Sequence, residues 1–127
     1  MKVELLKRKA FDSVLADISS AGWPAGEKAA PEQIERFDWL YDQVVKIASQ
    51  YGSFSEGGLE PSDFASSRYV DPVLVPLFTS SIQVPEPMWE EILQVLQNSG
   101  HPCAVIFDGP GGLQAITSTG RFIRAHP

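Results

Sequence analysis

The sequence predicts an α+β domain in which a helical hairpin and a third helix pack on a small C-terminal antiparallel sheet of two or three strands. Two observations predict it. Apolar residues recur at three- and four-residue spacing through the first fifty residues and again between residues 87 and 99, the period of amphipathic helices. After Gly100 the pattern becomes short apolar runs broken by glycine-rich turns, the pattern of strands. Helices first and strands last is the α+β arrangement. A chain of 127 residues is long enough for one domain with a real core.

The first helix is expected from about Glu4 to Ser20, with Leu6, Ala10, Phe11, Val14, Leu15 and Ile18 on one face. Gly22 ends it and Trp23-Pro24 begins a turn. The second helix, Pro31 to Tyr51, is the best defined. Ile34, Phe37, Tyr41, Val44, Ala48 and Tyr51 form one stripe, which Leu40, Val45 and Ile47 widen. Pro31 suits a first helical position, because its missing N–H would be unpaired there anyway. Glu32 and Glu35 complement the positive end of the helix dipole. A short link between these two helices implies that they lie antiparallel.

Residues 52–87 hold five prolines and three glycines, which exclude long regular elements. They also hold too many apolar side chains for a solvated loop. A helical turn near Pro61–Ser66 and an extended piece over Val73–Phe78 are expected. The third helix runs from Pro87 to about Ser99, burying Met88, Trp89, Ile92, Leu93, Val95 and Leu96. Cys103–Phe107, Leu113–Ser118 and Arg121–Arg124 then read as strands, joined by turns at 108–112 and 119–120.

The net charge is −6, and it is concentrated: residues 27–63 carry eight acids against three bases. Nucleic-acid binding asks for the opposite sign. No apolar run reaches the length of a membrane span. The N-terminal residues lack the continuous apolar region of a signal peptide. With one cysteine, Cys103, the expected location is cytoplasmic. No nucleic acid, membrane, metal or cofactor is therefore expected as a partner.

Candidate chemistry is sparse. Asp108-Gly-Pro-Gly-Gly112 has glycines that could cradle a phosphate, but no Lys-Ser/Thr and no helix follow. A hairpin turn accounts for it. His101 and Cys103 could form a nucleophile pair, which needs an imidazole positioned beside the thiol. No third orienting residue is evident, so a buried packing cysteine is the expected reading. Glu90 and Glu91 fall on a face expected to be wet, whereas acid–base work needs a carboxyl in a desolvating environment. No residue is assigned a catalytic role.

Trp39 stands apart. At about 100° per residue it lies opposite the apolar stripe, among Glu32, Glu35, Asp42 and Lys46. Either the proline-rich segment 52–87 or the first helix covers it as a second core layer, or it is left out to anchor a protein contact. Size, acidity and the lack of a catalytic set give the chain a class-level resemblance to small acidic bacterial immunity proteins, which neutralise secreted toxins. The resemblance implies a non-catalytic binding protein whose partner is a cognate toxin with a basic cleft. Under it, Glu32, Glu35, Asp42, Glu56, Glu60 and Asp63 would stand in for phosphates and Trp39 would be the apolar anchor. The alternative is a small-ligand module or enzyme with a pocket between the C-terminal sheet and the proline-rich segment, lined by Phe107, Tyr69 and Phe78.

Overall fold

The structure, a computed structural model, describes residues 2–22, 31–52, 54–56, 74–80 and 84–126; the side chains of residues 19–22, 33, 34, 37, 55 and 56 lie outside that description. In chain order the elements are β1 (Val3–Leu6), α1 (Arg8–Gly22), α2 (Pro31–Ser49), β2 (Phe54–Glu56), β3 (Leu74–Thr79), α3 (Glu86–Asn98), β4 (Ala104–Gly109), β5 (Gly112–Thr117) and β6 (Phe122–Ala125). Among the described residues the strands form one six-stranded sheet in the order β1-β6-β5-β4-β3-β2. It is mixed: β1 runs parallel to β6 and β3 parallel to β4, and the other pairs are antiparallel.

The fold therefore differs from a helical hairpin on a C-terminal sheet of two or three strands. The antiparallel meander β4-β5-β6 exists, but strands are added on both sides of it. On one side, β3 pairs parallel with β4, and α3 makes the crossover that two parallel neighbours require. On the other, β1 pairs with β6 in the register Val3↔Phe122 to Leu6↔Ala125. The first helix consequently starts at Arg8, and Lys7 alone links it to β1. The local pattern of Val3–Leu6 fits a helix; a partner strand more than a hundred residues away makes it extended. Arg121 ties the two together, donating from Nε and Nη2 to the Glu4 carboxylate at 2.9 and 3.0 Å.

Paired residues share a face of the sheet, which separates the helices. Phe122 stacks on Trp89 of α3, with ring centroids 3.5 Å apart, so Phe122, Ile116, Val105 and Val75 face α3. On that side α2 lies beside α3 and over β2 and β3. The α1 helix contacts β1 and β6. Val3 and Leu5, which share the Phe122 face, are exposed, Leu5 by 57%. The α1 helix therefore covers the opposite face, where Leu6, Ile123 and Ala125 point. The sheet stands between α1 and α2, so they form no hairpin.

The core follows from this layering. Ala104, Val105, Ile106 and Phe107 are all fully buried although they alternate between faces. Phe11, Leu15 and Ile18 of α1, Leu40, Val44 and Ala48 of α2, and Met88, Ile92 and Leu96 of α3 supply the helical side. Tyr41 and Leu93 are half-buried against it. The turn between β4 and β5 is the hairpin expected from its glycines, with Gly112 at φ +86°. Gly109 has a further reason to be glycine: a Cβ there would collide with the Thr79 carbonyl at the end of β3. The expected turn at Pro61–Ser66 and the Trp23-Pro24 turn lie outside the described residues. No helix among the described residues is long and apolar enough to cross a membrane.

Two outcomes are expected. Val44→Asp should cost about 3 kcal/mol or more in chemical denaturation, since it places a charge without a partner in the fully buried α2 seam. The Arg121 guanidinium holds the Glu4 carboxyl below its ordinary value of 4.5. A depressed carboxyl adds stability that is complete above its unfolded pKa and is lost as pH falls through the folded one. Glu4→Gln should therefore lower the melting temperature at neutral pH, and the gap to wild type should close below pH 4.5.

Candidate functional site

Two clefts lie at opposite ends of α3. The first, about 470 Å³, is lined by Glu32, Glu35, Arg36 and Trp39 of α2 and by Asn98 and Ser99 at the carboxyl end of α3. Helical spacing puts Glu32, Glu35 and Trp39 on one side of α2. The apolar stripe seats the opposite side of α2 on the core, so this side is left outward. Trp39 is 46% exposed, and Glu32, Glu35 and Asp42 are exposed beside it. The proline-rich segment, the expected alternative cover for the indole, lies largely outside the described residues.

Of the residues expected to form an acidic contact face, three therefore meet in one groove: Trp39, Glu32 and Glu35. Asp42 lies on the same exposed side of α2 but outside the groove lining. Glu56 belongs to β2, which pairs at the far edge of the sheet with β3; its side chain, and all of Glu60 and Asp63, lie outside the described residues. The composition did not point to the contribution from α3. Asn98 and Ser99 reach the groove only because α3 packs alongside α2. The last turn of α3 carries no basic residue of its own, but Arg36 lines the same groove, the amino end of α2 opposes it, and the Leu96 carbonyl accepts from Ser99 Oγ at 2.6 Å. Glu32 and Glu35 against Arg36 leave the groove lining acidic by one charge. A hydrogen bond fixes the packing of the two helices at the far end of α2, where the Tyr51 hydroxyl donates to Glu91 Oε2 at 2.7 Å. Glu91 is thus an exposed partner of a tyrosine on the surface.

The second cleft, about 520 Å³, lies at the amino end of α3 and is lined by Val3, Val84, Pro85, Glu86, Trp89, Gln114 and Arg124. It occupies part of the region expected to hold a pocket, between the C-terminal sheet and the end of the proline-rich segment, but with other residues. Phe107 is fully buried on the α3 face. Phe78 pairs with Asp108 and so faces the other way. The two cannot line one pocket, and Tyr69 lies outside the described residues.

The thiol is structural in its surroundings. Cys103 is 2% exposed, with Sγ 3.6 Å from the Leu96 carbonyl, to which it donates. Ser99 Oγ stands 3.4 Å from it, and the Cys103 N–H donates to Ser118 Oγ. Burial pushes the thiol above its ordinary value, which opposes the thiolate a nucleophile needs. These bonds join the end of α3 to β4 and to the turn after β5. Among the described residues, no three His, Cys, Asp or Glu side chains are grouped to hold a metal ion.

Comparisons with protein-family models, with characterised proteins and with solved structures found no match.

Cys103→Ser should destabilise the fold by about 1–2 kcal/mol, because a hydroxyl replaces a buried thiol. The native thiol should stay unreactive toward a disulfide reagent until the chain is unfolded. Rapid labelling of the folded protein would contradict the buried position.

Proposed function

We propose that this protein is a non-catalytic binding protein that presents the acidic face of α2 to a basic partner. Within that class the reading that best suits the site is an immunity-type inhibitor, which occludes the basic cleft of a cognate toxin. One observation carries it: Trp39 is about half exposed on the best-defined helix of the chain, in a groove with Glu32 and Glu35. Aromatic residues are enriched among the anchors of protein interfaces. Carboxylates around such an anchor speed encounter with a positive surface, while the apolar contact slows dissociation. An arginine side chain of the partner suits the groove, since its guanidinium stacks on an indole and pairs with a carboxylate. Asp42 extends the negative surface along α2.

The experiment is affinity capture from the source cell with wild type, Trp39→Ala and the double variant Glu35→Lys/Asp42→Lys, each partner then measured with purified components. Trp39→Ala should melt within about 1 kcal/mol of wild type, because the side chain is not in the core. It should weaken the partner by about 2 kcal/mol or more, as an aromatic anchor does. The charge reversal should mainly lower the association rate, and its effect should shrink at 1 M salt, where the Debye length is about 3 Å. An acidic partner, or one held equally by all three proteins, would sink the proposal.

A further inference from the structure

Strand β1 ends the sheet and has β6 as its one neighbour among the described residues. Within a strand the N–H and C=O of one residue point to the same side, and those of the next residue point to the other. The Leu6 carbonyl accepts from the His126 N–H, so Leu6 and Glu4 turn their backbone groups toward β6. Val3 and Leu5 therefore turn theirs outward, which places two donors and two acceptors along the open edge. An edge of that kind is a template for another chain.

The side chains of the same two residues are uncovered. Val3 is 38% and Leu5 57% exposed, and with Trp39 and Phe78 they are the exposed large hydrophobics among the described residues. They stand on the face that carries α3, one strand beyond β6, where Trp89 of α3 stacks on Phe122. The cleft at the amino end of α3 opens beside them, since Val3 is part of its lining. A strand laid along β1 would extend this floor, and its side chains on that face would lie against Val3 and Leu5.

Charge decides what kind of strand fits. Lys2, Lys7, Arg8, Lys9, Arg121 and Arg124 are six of the ten bases of the chain, and all lie in or next to β1 and β6. Of the sixteen acids, Glu4 alone lies in the same two stretches, 1–9 and 121–127. Arg121 holds the Glu4 carboxylate, and Arg8 is paired with Asp12. Lys2 and Lys7, both exposed, stand at the two ends of the strand. They oppose a second copy of β1, because joining two such edges brings four lysines together, and like charges across a ladder repel. By the same rule they attract an acidic strand. In a chain of net charge −6, this edge suits a segment that the acidic face of α2 repels.

We propose that β1 takes up an extended acidic segment of a partner protein as a further, antiparallel strand of the sheet. Main-chain hydrogen bonds to Val3 and Leu5 hold it, and apolar side chains at alternate positions cover theirs. Carboxylates at its two ends pair with Lys2 and Lys7.

The probe is the end-blocked peptide Glu-Thr-Val-Thr-Val-Glu, with Lys-Thr-Val-Thr-Val-Lys as its charge-reversed counterpart. Each is titrated into the whole protein at low ionic strength and followed by the backbone amide resonances in NMR. In the free protein the Val3 and Leu5 amides should exchange with solvent much faster than those of Glu4 and Leu6. The acidic peptide should shift the Val3 and Leu5 resonances saturably and slow their exchange at least tenfold at saturation. The lysine peptide should bind at least tenfold more weakly, and Lys2→Glu/Lys7→Glu should reverse that preference. An acidic peptide methylated on both valine nitrogens keeps its charge and loses the donors turned toward β1, and it should bind at least tenfold more weakly than its parent. The proposal is overturned if the Val3 and Leu5 amides are already protected in the dilute free protein, or if the acidic peptide leaves them unmoved. Equal binding of the lysine peptide or of the methylated peptide would also overturn it, as would shifts confined to another element. Protection of Val3 and Leu5 that rises with protein concentration alone would overturn it in favour of a second copy of this chain. The α2 face is untouched by these variants, so failure here leaves the binding-protein proposal standing, and the reverse also holds.

Discussion

Burial of β4 on both faces is the constraint from which the architecture follows. Ala104 to Phe107 alternate between the two sides of the sheet, and all four are excluded from water. A strand in that position needs cover above and below, since each face left wet would forfeit roughly 25 cal/mol for every Å² of apolar surface exposed. The α2 and α3 helices supply one cover and α1 contributes to the other. Once α1 is committed to the far face, it cannot pair with α2. Trp39 lies on the side of α2 away from the core, 46% exposed, in the groove that α2 makes with the end of α3.

The same layering puts α3 between the two clefts of the molecule. As the crossover between parallel strands it spans the α2 side of the sheet, and its thirteen residues separate its ends by about 20 Å. Each end opens into a cleft. At the carboxyl end the charged residues, Glu32, Glu35 and Arg36, come from the first turns of α2. At the amino end Glu86 stands in the first turn of α3 and Arg124 comes from β6. The charge of each cleft is therefore set by the elements packed beside α3.

How much of this was legible depended on whether a signal was local. The α2 and α3 helices, the β4–β5 turn and the three C-terminal strands are written in periodicity and glycine placement, and they fall within a few residues of the expected bounds. The β1 strand is not local, because Val3–Leu6 becomes extended only through β6. The parallel pairing of β3 with β4 did leave a trace. Val73–Phe78 and Cys103–Phe107 are continuous apolar runs, and continuous runs mark strands buried on both sides, whereas alternating ones mark strands with one wet face. Two such runs flanking a helix describe a parallel β-α-β unit. At the site, the helical arithmetic placed Trp39, Glu32 and Glu35 together, because a single helix determines their spacing. Asn98, Ser99 and the whole amino-terminal cleft depend on contacts between elements, and no spacing in the chain encodes them.

Trp39 and Trp89 are opposite departures from the rules that the rest of the chain obeys. Trp39 exposes an apolar surface that burial would stabilise, and Trp89 buries a polar hydrogen that hydration would stabilise. In a fold whose other choices agree, local violations of this kind concentrate where a structure is shaped for something other than its own stability. The two violations differ in kind: one leaves apolar surface to solvent on the side of α2 away from the core, and the other leaves a donor unmade inside the contact of α3 with the sheet. The sheet and its layers explain why both tryptophans lie near α3, because α2 and α3 pack together on one face of it.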